Sequence, residues 1–161
     1  MSLFNRRILL ALPLALAACG FTPVYGPGGT GTKLNNQVLV QEPSTQAGYL
    51  LTRHMETRLG RSGGSARYAL DLTIDLDEDD LAINSSGDIT RYNVIGNVEF
   101  ALRDSTTGTI ITSGKVQNFT AYSATGTTVA TLAAEQDALE RLMVILGDQI
   151  TARLYATDVP A

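Results

Sequence analysis

The sequence predicts an α+β domain in which two helices pack on one face of a four-stranded, mostly antiparallel sheet, in the order β-α-β-β-β-α. Two observations predict this fold. Several segments alternate apolar and polar residues, so each strand can bury only one of its faces. The two helical segments each carry a single apolar stripe, which has to be covered by another layer. The other face of the sheet is therefore expected to be polar.

The first strand and the first helix are predicted within residues 33–60. The strand has alternating positions at Leu34, Asn36, Val38 and Val40, and it ends at Pro43, which cannot donate to a sheet. Ser44 is a suitable N-cap for the helix, and Gly60 supplies its C-terminal stop. The apolar face of the helix has the i, i+3, i+4 spacing and consists of Ala47, Leu50, Leu51, Met55 and Leu59.

Three more strands and a long helix are predicted to follow. The strand with the strictest alternation is Tyr68, Leu70, Leu72, Ile74 and Leu76, and the next is Tyr92, Val94, Val98, Phe100 and Leu102. After a turn at 104–108, the last strand covers 109–122, with a bulge at 114–118 because Val116 and Phe119 cannot share a face. The closing helix is capped by Thr128 or Thr131, and its stripe is Leu132, Leu139, Leu142, Met143, Leu146, Ile150 and Leu154.

These elements also predict a topology. A right-handed crossover through the first helix makes the first two strands parallel, and strands two to four then form an antiparallel meander. The exit of the first helix and the 104–108 turn should lie at one end of the sheet. The connection at 77–91 should lie at the other end.

The N-terminus predicts a cleaved and lipidated export signal. Arg6 and Arg7 precede an apolar run, 8–18, that is too short to span a membrane, and the run ends in Leu16-Ala17-Ala18-Cys19, which resembles a bacterial lipobox. The domain organisation is thus a signal peptide at 1–18, a lipidated flexible tether at 19–32 rich in Pro and Gly, and a single domain at 33–161. A free or buried thiol beside an ordinary secretory signal is the alternative for Cys19.

Composition limits the function further. The chain has 161 residues, with 12 Lys and Arg against 16 Asp and Glu and a formal net charge of −4, which argues against general nucleic-acid binding. Its single cysteine, once acylated, leaves no thiol for a disulfide. No segment after Cys19 approaches the apolar length of a membrane-spanning helix. The mature protein is expected to be anchored to a membrane and not to cross it.

Catalytic and metal motifs are weak in this sequence. Residues 60–64 match G-x-S-x-G around Ser62, but a nucleophile elbow needs a strand before it, a helix after it and a downstream histidine, whereas the single histidine, His54, lies upstream. Residues 26–31 fit G-x-G-x-x-G without the required strand and helix. No cofactor is expected, and one histidine with one cysteine cannot build a zinc site. The acidic run at 75–80 departs from the EF-hand pattern, and a weak divalent-ion site there stays an open alternative.

The run Cys19-Gly20-Phe21-Thr22-Pro23-Val24-Tyr25-Gly26 resembles the mature N-terminus of the LPS-assembly lipoprotein family, LptE, whose pattern is C-G-F-x-P-hydrophobic-Y-G. The element order, the mature length and the closing helix are similar to the same family. The resemblance implies two helices on a four-stranded sheet and a role without catalysis, as the plug inside the outer-membrane barrel LptD, where it assists barrel assembly and lipopolysaccharide delivery. Gly20 stands where inner-membrane lipoproteins commonly have Asp, which favours a periplasm-facing anchor in the outer membrane.

Two alternatives remain beside this resemblance: an unrelated outer-membrane lipoprotein with a structural or ligand-binding role, and a lipid-anchored hydrolase. The charges are also polarised, with a basic group near the exit of the first helix and an acidic group along the second strand. Arginine forks bind phosphates well, so these residues are candidate contacts for lipopolysaccharide, with ordinary solvated side chains as the alternative: Arg58, Arg61, Arg67, Arg91 and Lys115.

Overall fold

The structure is a computed structural model that describes residues 23–160. Its elements in chain order are α1 (Thr30–Leu34), β1 (Val38–Val40), α2 (Gln46–Leu59), β2 (Tyr68–Ile83), β3 (Ile89–Asp104), β4 (Ile110–Ser123) and α3 (Thr128–Tyr155). The predicted α+β class is confirmed, and the predicted order gains one short helix, α1, in front. The lipobox and Cys19 lie outside the described residues.

The sheet has the predicted topology. Its strand order is β1-β2-β3-β4, with β1 parallel to β2 and the other two pairs antiparallel. The long helix α3 packs on the inner face of the sheet, where Leu142 and Leu146 fill the space that a side chain at Gly96 would need. The hydroxyl of Thr120 in β4 donates to the Ala138 carbonyl of α3 at 2.8 Å. The core is the layer between this face and the two longer helices.

Local chemistry accounts for the ends of both longer helices. Each N-cap lies one residue from a predicted cap: Thr45 accepts from the Gly48 amide at 3.0 Å, and Thr127 accepts from the Ala130 amide at 3.3 Å. Gly60 ends α2 as predicted, with a φ of 77° that side chains rarely adopt. The predicted stripe on α3 is buried from Leu142 onward, whereas Leu132 near the start of the helix is 53% exposed.

Two predictions near the N-terminus of the domain are wrong. Leu34, predicted to begin the first strand, is the last residue of helix α1, and β1 is only Val38–Val40. In its described part, 23–32, the predicted flexible tether folds into consecutive turns that pack on the C-terminal end of α3. Glycine composition misled the prediction because glycine serves close packing as well as flexibility.

The predicted bulge at 114–118 is also wrong. The pairing of β3 with β4 runs without interruption from Arg91↔Ser123 to Leu102↔Thr112, and the register shifts only beyond Leu102. Val116 and Phe119 lie on opposite faces of a regular strand: Val116 is buried in the core, and Phe119 is 61% exposed on the outer face. The sequence predicted a bulge because Phe119, although aromatic, faces away from the core.

The strand β2 extends well past the helices. Its first residues are buried, but every residue from Asp75 to Leu81 is exposed, on both faces of the strand. At about 3.3 Å per residue, this 16-residue strand spans roughly 50 Å. We call the end with the 60–67 loop, the 104–109 turn and residues 155–160 the basal end, and the end with the 84–88 turn the distal end.

Candidate functional site

The basal end is assembled from segments that are far apart in the sequence. Tyr68 pairs with Asp104 across the sheet, and the Ser105 amide donates to the Arg67 carbonyl at 2.8 Å. The Tyr68 hydroxyl donates to the Pro160 carbonyl at 2.9 Å. The 104–108 turn and the exit of α2 therefore share one end, as the topology predicts, and the 84–88 turn lies at the other.

Three of the five predicted anion contacts belong to the basal end. Arg58 is in the last turn of α2, Arg61 follows in the 60–67 loop, and Arg67 precedes β2, with its guanidinium 5.4 Å from the centre of the Tyr68 ring. Arg58 and Arg61 are paired with acids. Arg61 donates to the Glu56 carboxylate at 2.6 and 3.0 Å, and this hydrogen bond and the charge of Glu56 raise the pKa of Arg61.

The other two predicted contacts lie elsewhere. Arg91 is in β3 beside the distal turn, where its partners across the sheet are Ala82 and Ser123. Lys115 is on the outer face of β4, with its ammonium nitrogen 3.7 Å from the Glu99 carboxylate of β3. The structure therefore groups Arg58, Arg61 and Arg67 and separates them from Arg91 and Lys115.

His54 and Arg58 join α2 to α3 through one carboxylate. Asp148 Oδ1 lies 2.8 Å from His54 Nε2 and accepts from Arg58 Nε at 2.8 Å. Burial raises the pKa of the Asp148 carboxyl, but the hydrogen bonds from His54 and Arg58 outweigh it, so the net pKa lies below the ordinary value. Gly147 makes room for this contact, since a Cβ there would be 2.6 Å from His54 Cδ2. His54 therefore has a structural role, because its partner Asp148 lies on helix α3 and the contact joins α2 to α3.

The motif around Ser62 does not have the geometry of a nucleophile elbow. Residues 60–67 follow helix α2 and precede strand β2, which reverses the strand-turn-helix order that exposes a nucleophilic serine. The hydrogen-bond partner of the histidine is Asp148, and no hydrogen bond joins the imidazole to Ser62 within residues 23–160. Within the same range, His, Cys, Asp and Glu form no group of three or more that could hold a metal ion.

The outer face of the sheet carries an apolar spot on β3 and β4, which the sequence analysis missed. Ile95 and Phe119 are partners across β3 and β4, and they form a shallow groove with Asn93, Gln117 and Asn118. Of the buried side-chain oxygens and nitrogens in the described residues, Asn93 Oδ1 alone has no hydrogen-bond partner. The sequence indicated this apolar spot through Phe119, which does not fit the alternation of core residues in β4 and therefore has to face outward.

In the part of the chain that the structure describes, no helix combines the length and the apolarity needed to cross a membrane. The long helix α3 carries charged residues along its exposed side, such as Asp137 and Arg141, which pair with each other at 2.8 Å. Its buried side faces the sheet and α2, so packing within the domain accounts for its apolar stripe.

Comparisons with known proteins agree with the fold. The described architecture is similar to a candidate lipoprotein of Caulobacter crescentus CB15, with a TM-score of 0.66, 23% identity and coverage of 79% of this chain and 93% of that one. It is also similar to the rare lipoprotein B of Shewanella oneidensis, with a TM-score of 0.56, 17% identity and coverage of 74% and 92%. Lipoprotein B of Nitrosomonas europaea has a TM-score of 0.56, 16% identity and coverage of 74% and 81%.

Curated protein sequences include no match to this chain. A family model for LptE, described as lipopolysaccharide-assembly, matches residues 35–154. This range includes every strand, α2, all of α3 except its last residue, and the basal arginines Arg58, Arg61 and Arg67. Since the match covers most of the chain, the protein belongs to the LptE family of lipopolysaccharide-assembly lipoproteins.

Proposed function

We propose that this protein is an outer-membrane lipoprotein, acylated on Cys19, that plugs an LptD-type β-barrel, helps it assemble and assists the delivery of lipopolysaccharide to the outer leaflet. The family match over residues 35–154 carries this proposal. The geometry is compatible with it, because a barrel lumen is polar and the exposed part of β2 carries five carboxylates between Asp75 and Asp80. The protein would act through contacts and not through catalysis.

In this proposal the distal end enters the barrel and the basal end stays at the periplasmic mouth. The described chain begins at the basal end, where residues 23–34 pack on α3, so an anchor at Cys19 would keep this end near the membrane. The 84–88 turn lies at the far end of a strand of roughly 50 Å, which gives the molecule the length to reach into a lumen.

Site-specific photo-crosslinking tests both the partner and the orientation. A crosslinker at Ser85 or Ser86, both exposed in the distal turn, should capture LptD. One at Ser105 or Thr106, both exposed in the basal turn, is the matched control and should capture LptD less efficiently. The reverse preference would overturn the orientation alone. Failure at all four sites and along the outer sheet face would overturn the plug function.

Purification from detergent-solubilised outer membranes is an independent test of the same partner. The proposal requires a stable complex with a very large barrel protein, and the absence of such a complex would contradict it. The hydrolase alternative is tested separately by screening the protein and a Ser62→Ala variant against ester substrates. Activity that the substitution abolishes would support the hydrolase alternative.

Direct contact with lipopolysaccharide is proposed at Arg58, Arg61 and Arg67, because these three share the basal end. Arginine suits phosphate because its guanidinium can donate two parallel hydrogen bonds. Arg61→Gln should weaken binding of purified lipopolysaccharide, and Arg141→Gln on α3, which also removes an arginine paired with an acid, is the control. Equal weakening by both variants would indicate a general charge effect and contradict a basal site.

A further inference from the structure

The N-terminal arm, residues 23–34, is built into the domain and does not hang free from it. Two backbone hydrogen bonds, Gly26 to Pro23 at 3.0 Å and Gly29 to Gly26 at 2.9 Å, close successive turns. A third, from the Gly31 amide to the Val24 carbonyl at 2.9 Å, folds the arm back on itself. The arm therefore holds its first described residues against its own helix, α1.

Several contacts attach this arm to the C-terminal end of the chain. The Thr30 hydroxyl donates to the Thr157 carbonyl at 3.0 Å, and Lys33 Nζ donates to the Val159 carbonyl at 2.6 Å. Leu34 is completely buried in the core. The hydroxyls of Tyr25 and Tyr155 lie 2.9 Å apart and their rings meet edge to face, which places the tyrosine of the N-terminal motif on the last residue of α3.

The glycines of the arm are needed for this packing. A Cβ at Gly31 would come within 2.7 Å of Val24 Cγ1 and 3.0 Å of the Tyr25 ring. A Cβ at Gly29 would overlap the carbonyl oxygen of Val24 and lie 2.6 Å from that of Pro23. Side chains at these two positions would push residues 23–25 away. The requirement is close approach of the backbone, and not flexibility.

The packed arm limits how far the domain can move from a lipid on Cys19. Three residues lie between Cys19 and Pro23, and even a fully extended chain covers only about 14 Å over these four residue-to-residue steps. If the arm were free back to the buried Leu34, the connection would have fifteen such steps, with a typical span of roughly 20 Å and a maximum of about 50 Å. Packing of the arm on the domain therefore shortens the free chain that connects the domain to the lipid.

We infer that, in the protein free of its barrel, the N-terminal arm is a clamp that holds the basal end of the domain against the phospholipid headgroups in which the Cys19 lipid is embedded. The facing surface is the 60–67 loop, the 104–109 turn and the arm itself, and its partner is the lipid surface. This inference rests on the proposed acylation of Cys19. It adds a role for the motif Pro23-Val24-Tyr25-Gly26, which is to set the distance between anchor and domain.

The test uses the full-length acylated protein in phospholipid vesicles that contain lipids spin-labelled at the headgroup. A fluorophore is attached to a cysteine introduced as Ser105→Cys at the basal end or Ser85→Cys at the distal end; acylation leaves the native thiol of Cys19 unreactive. Headgroup spin labels should quench the dye at position 105 strongly and leave the dye at position 85 nearly unquenched. Equal quenching at both positions would overturn the inference.

Two variants then release the clamp in different ways. Gly29→Ala combined with Gly31→Ala should unseat the arm and abolish most of the quenching at position 105. Ser85→Ala with Ser86→Ala in the distal turn is the control, because both residues are exposed and lie outside the surface that faces the lipid. Insertion of a Gly-Ser linker of about 15 residues after Thr22 lengthens the chain between the lipid and the domain by roughly 20 Å without changing the fold. This insertion should also abolish most of the quenching at position 105.

The outcomes separate this inference from the proposed function. Intact-mass measurement of the same samples establishes acylation: without acyl mass on Cys19 both the anchor and the clamp are refuted. With acylation present, quenching at position 105 that survives both the glycine pair and the linker insertion would overturn the clamp alone. Co-purification with LptD, measured on the parent protein, tests the plug function whatever the outcome for the clamp.

Discussion

Leu142 provides the strictest test of the packing described above. Its side chain is fully buried on α3, and its Cδ2 atom lies 3.1 Å from the point where a Cβ on Gly96 would stand. Because β3 is a central strand and Gly96 is buried, the surrounding backbone has little freedom to fill a cavity. Leu142→Ala should therefore cost about 3–4 kcal/mol, in the middle of the range measured for fully buried leucines. That is a large share of the roughly 5–15 kcal/mol that stabilises a domain.

The matched control is Leu132→Ala on the same helix. Leu132 is 53% exposed, and leucine and alanine are both strong helix formers, so this change should cost less than about 1 kcal/mol. Equilibrium urea unfolding, followed by circular dichroism, measures the free energy of unfolding of both variants. With a denaturant slope of about 2 kcal/mol per M, the midpoint should fall by roughly 1.5–2 M for Leu142→Ala and by under about 0.5 M for the control. Similar shifts for the two variants would refute the assigned packing of α3 on the sheet.

Three further predictions concern the anchor, a charged contact and the sheet. Cys19→Ala should leave a precursor or soluble form without acyl mass, since the chain has no other cysteine; acylation found elsewhere by intact-mass analysis would contradict this. Asp148→Asn should lower the melting temperature at pH 7, and the difference from the parent should shrink as the pH falls below ~4, because a carboxyl with a depressed pKa stabilises the fold only while ionised; a constant difference from pH 7 to 3 would contradict it. Gly96→Val should destabilise the fold by about 1–3 kcal/mol by overpacking, whereas an unchanged melt would show that α3 is not seated there.

The alternation of apolar residues predicted the sheet because burial of one face leaves a period of two in the sequence. It could not separate a buried apolar residue from an exposed one, and one error follows from that. Phe119 lies on the outer face, which turned a regular strand into a predicted bulge. Leu72 packs against the core as the pattern predicts, but it is only half-buried near the open edge of β2, where its amide donates to the Gln41 side chain at 3.1 Å. An aspartate at Leu72 should therefore be tolerated better than one at Leu142.

The fate of residues 23–34 could not be predicted from local sequence. Pro and Gly are typical of linkers, and nothing nearby in the chain indicates a packing partner. The partners are Tyr155, Thr157 and Val159, more than 120 residues away, which become neighbours only after α3 has returned to the basal end. Local sequence could not predict the candidate site for the same reason. The pairing of His54 and Arg58 with Asp148 depends on how α2 packs against α3.

The acidic run on β2 has a structural explanation that needs no bound ion. β1 pairs with β2 only at Tyr68–Leu70, so beyond that point one edge of β2 has no strand partner among the described residues. An open edge of this length would invite pairing with another chain, and charged side chains on an edge strand oppose such pairing. On the other side β2 is paired with β3 almost to its end, which maintains the strand although little of its surface is buried. The negative charge therefore allows a long hairpin to project past the helices as a separate, acidic extension. A polar lumen is an environment in which its carboxylates lose little solvation when they leave water.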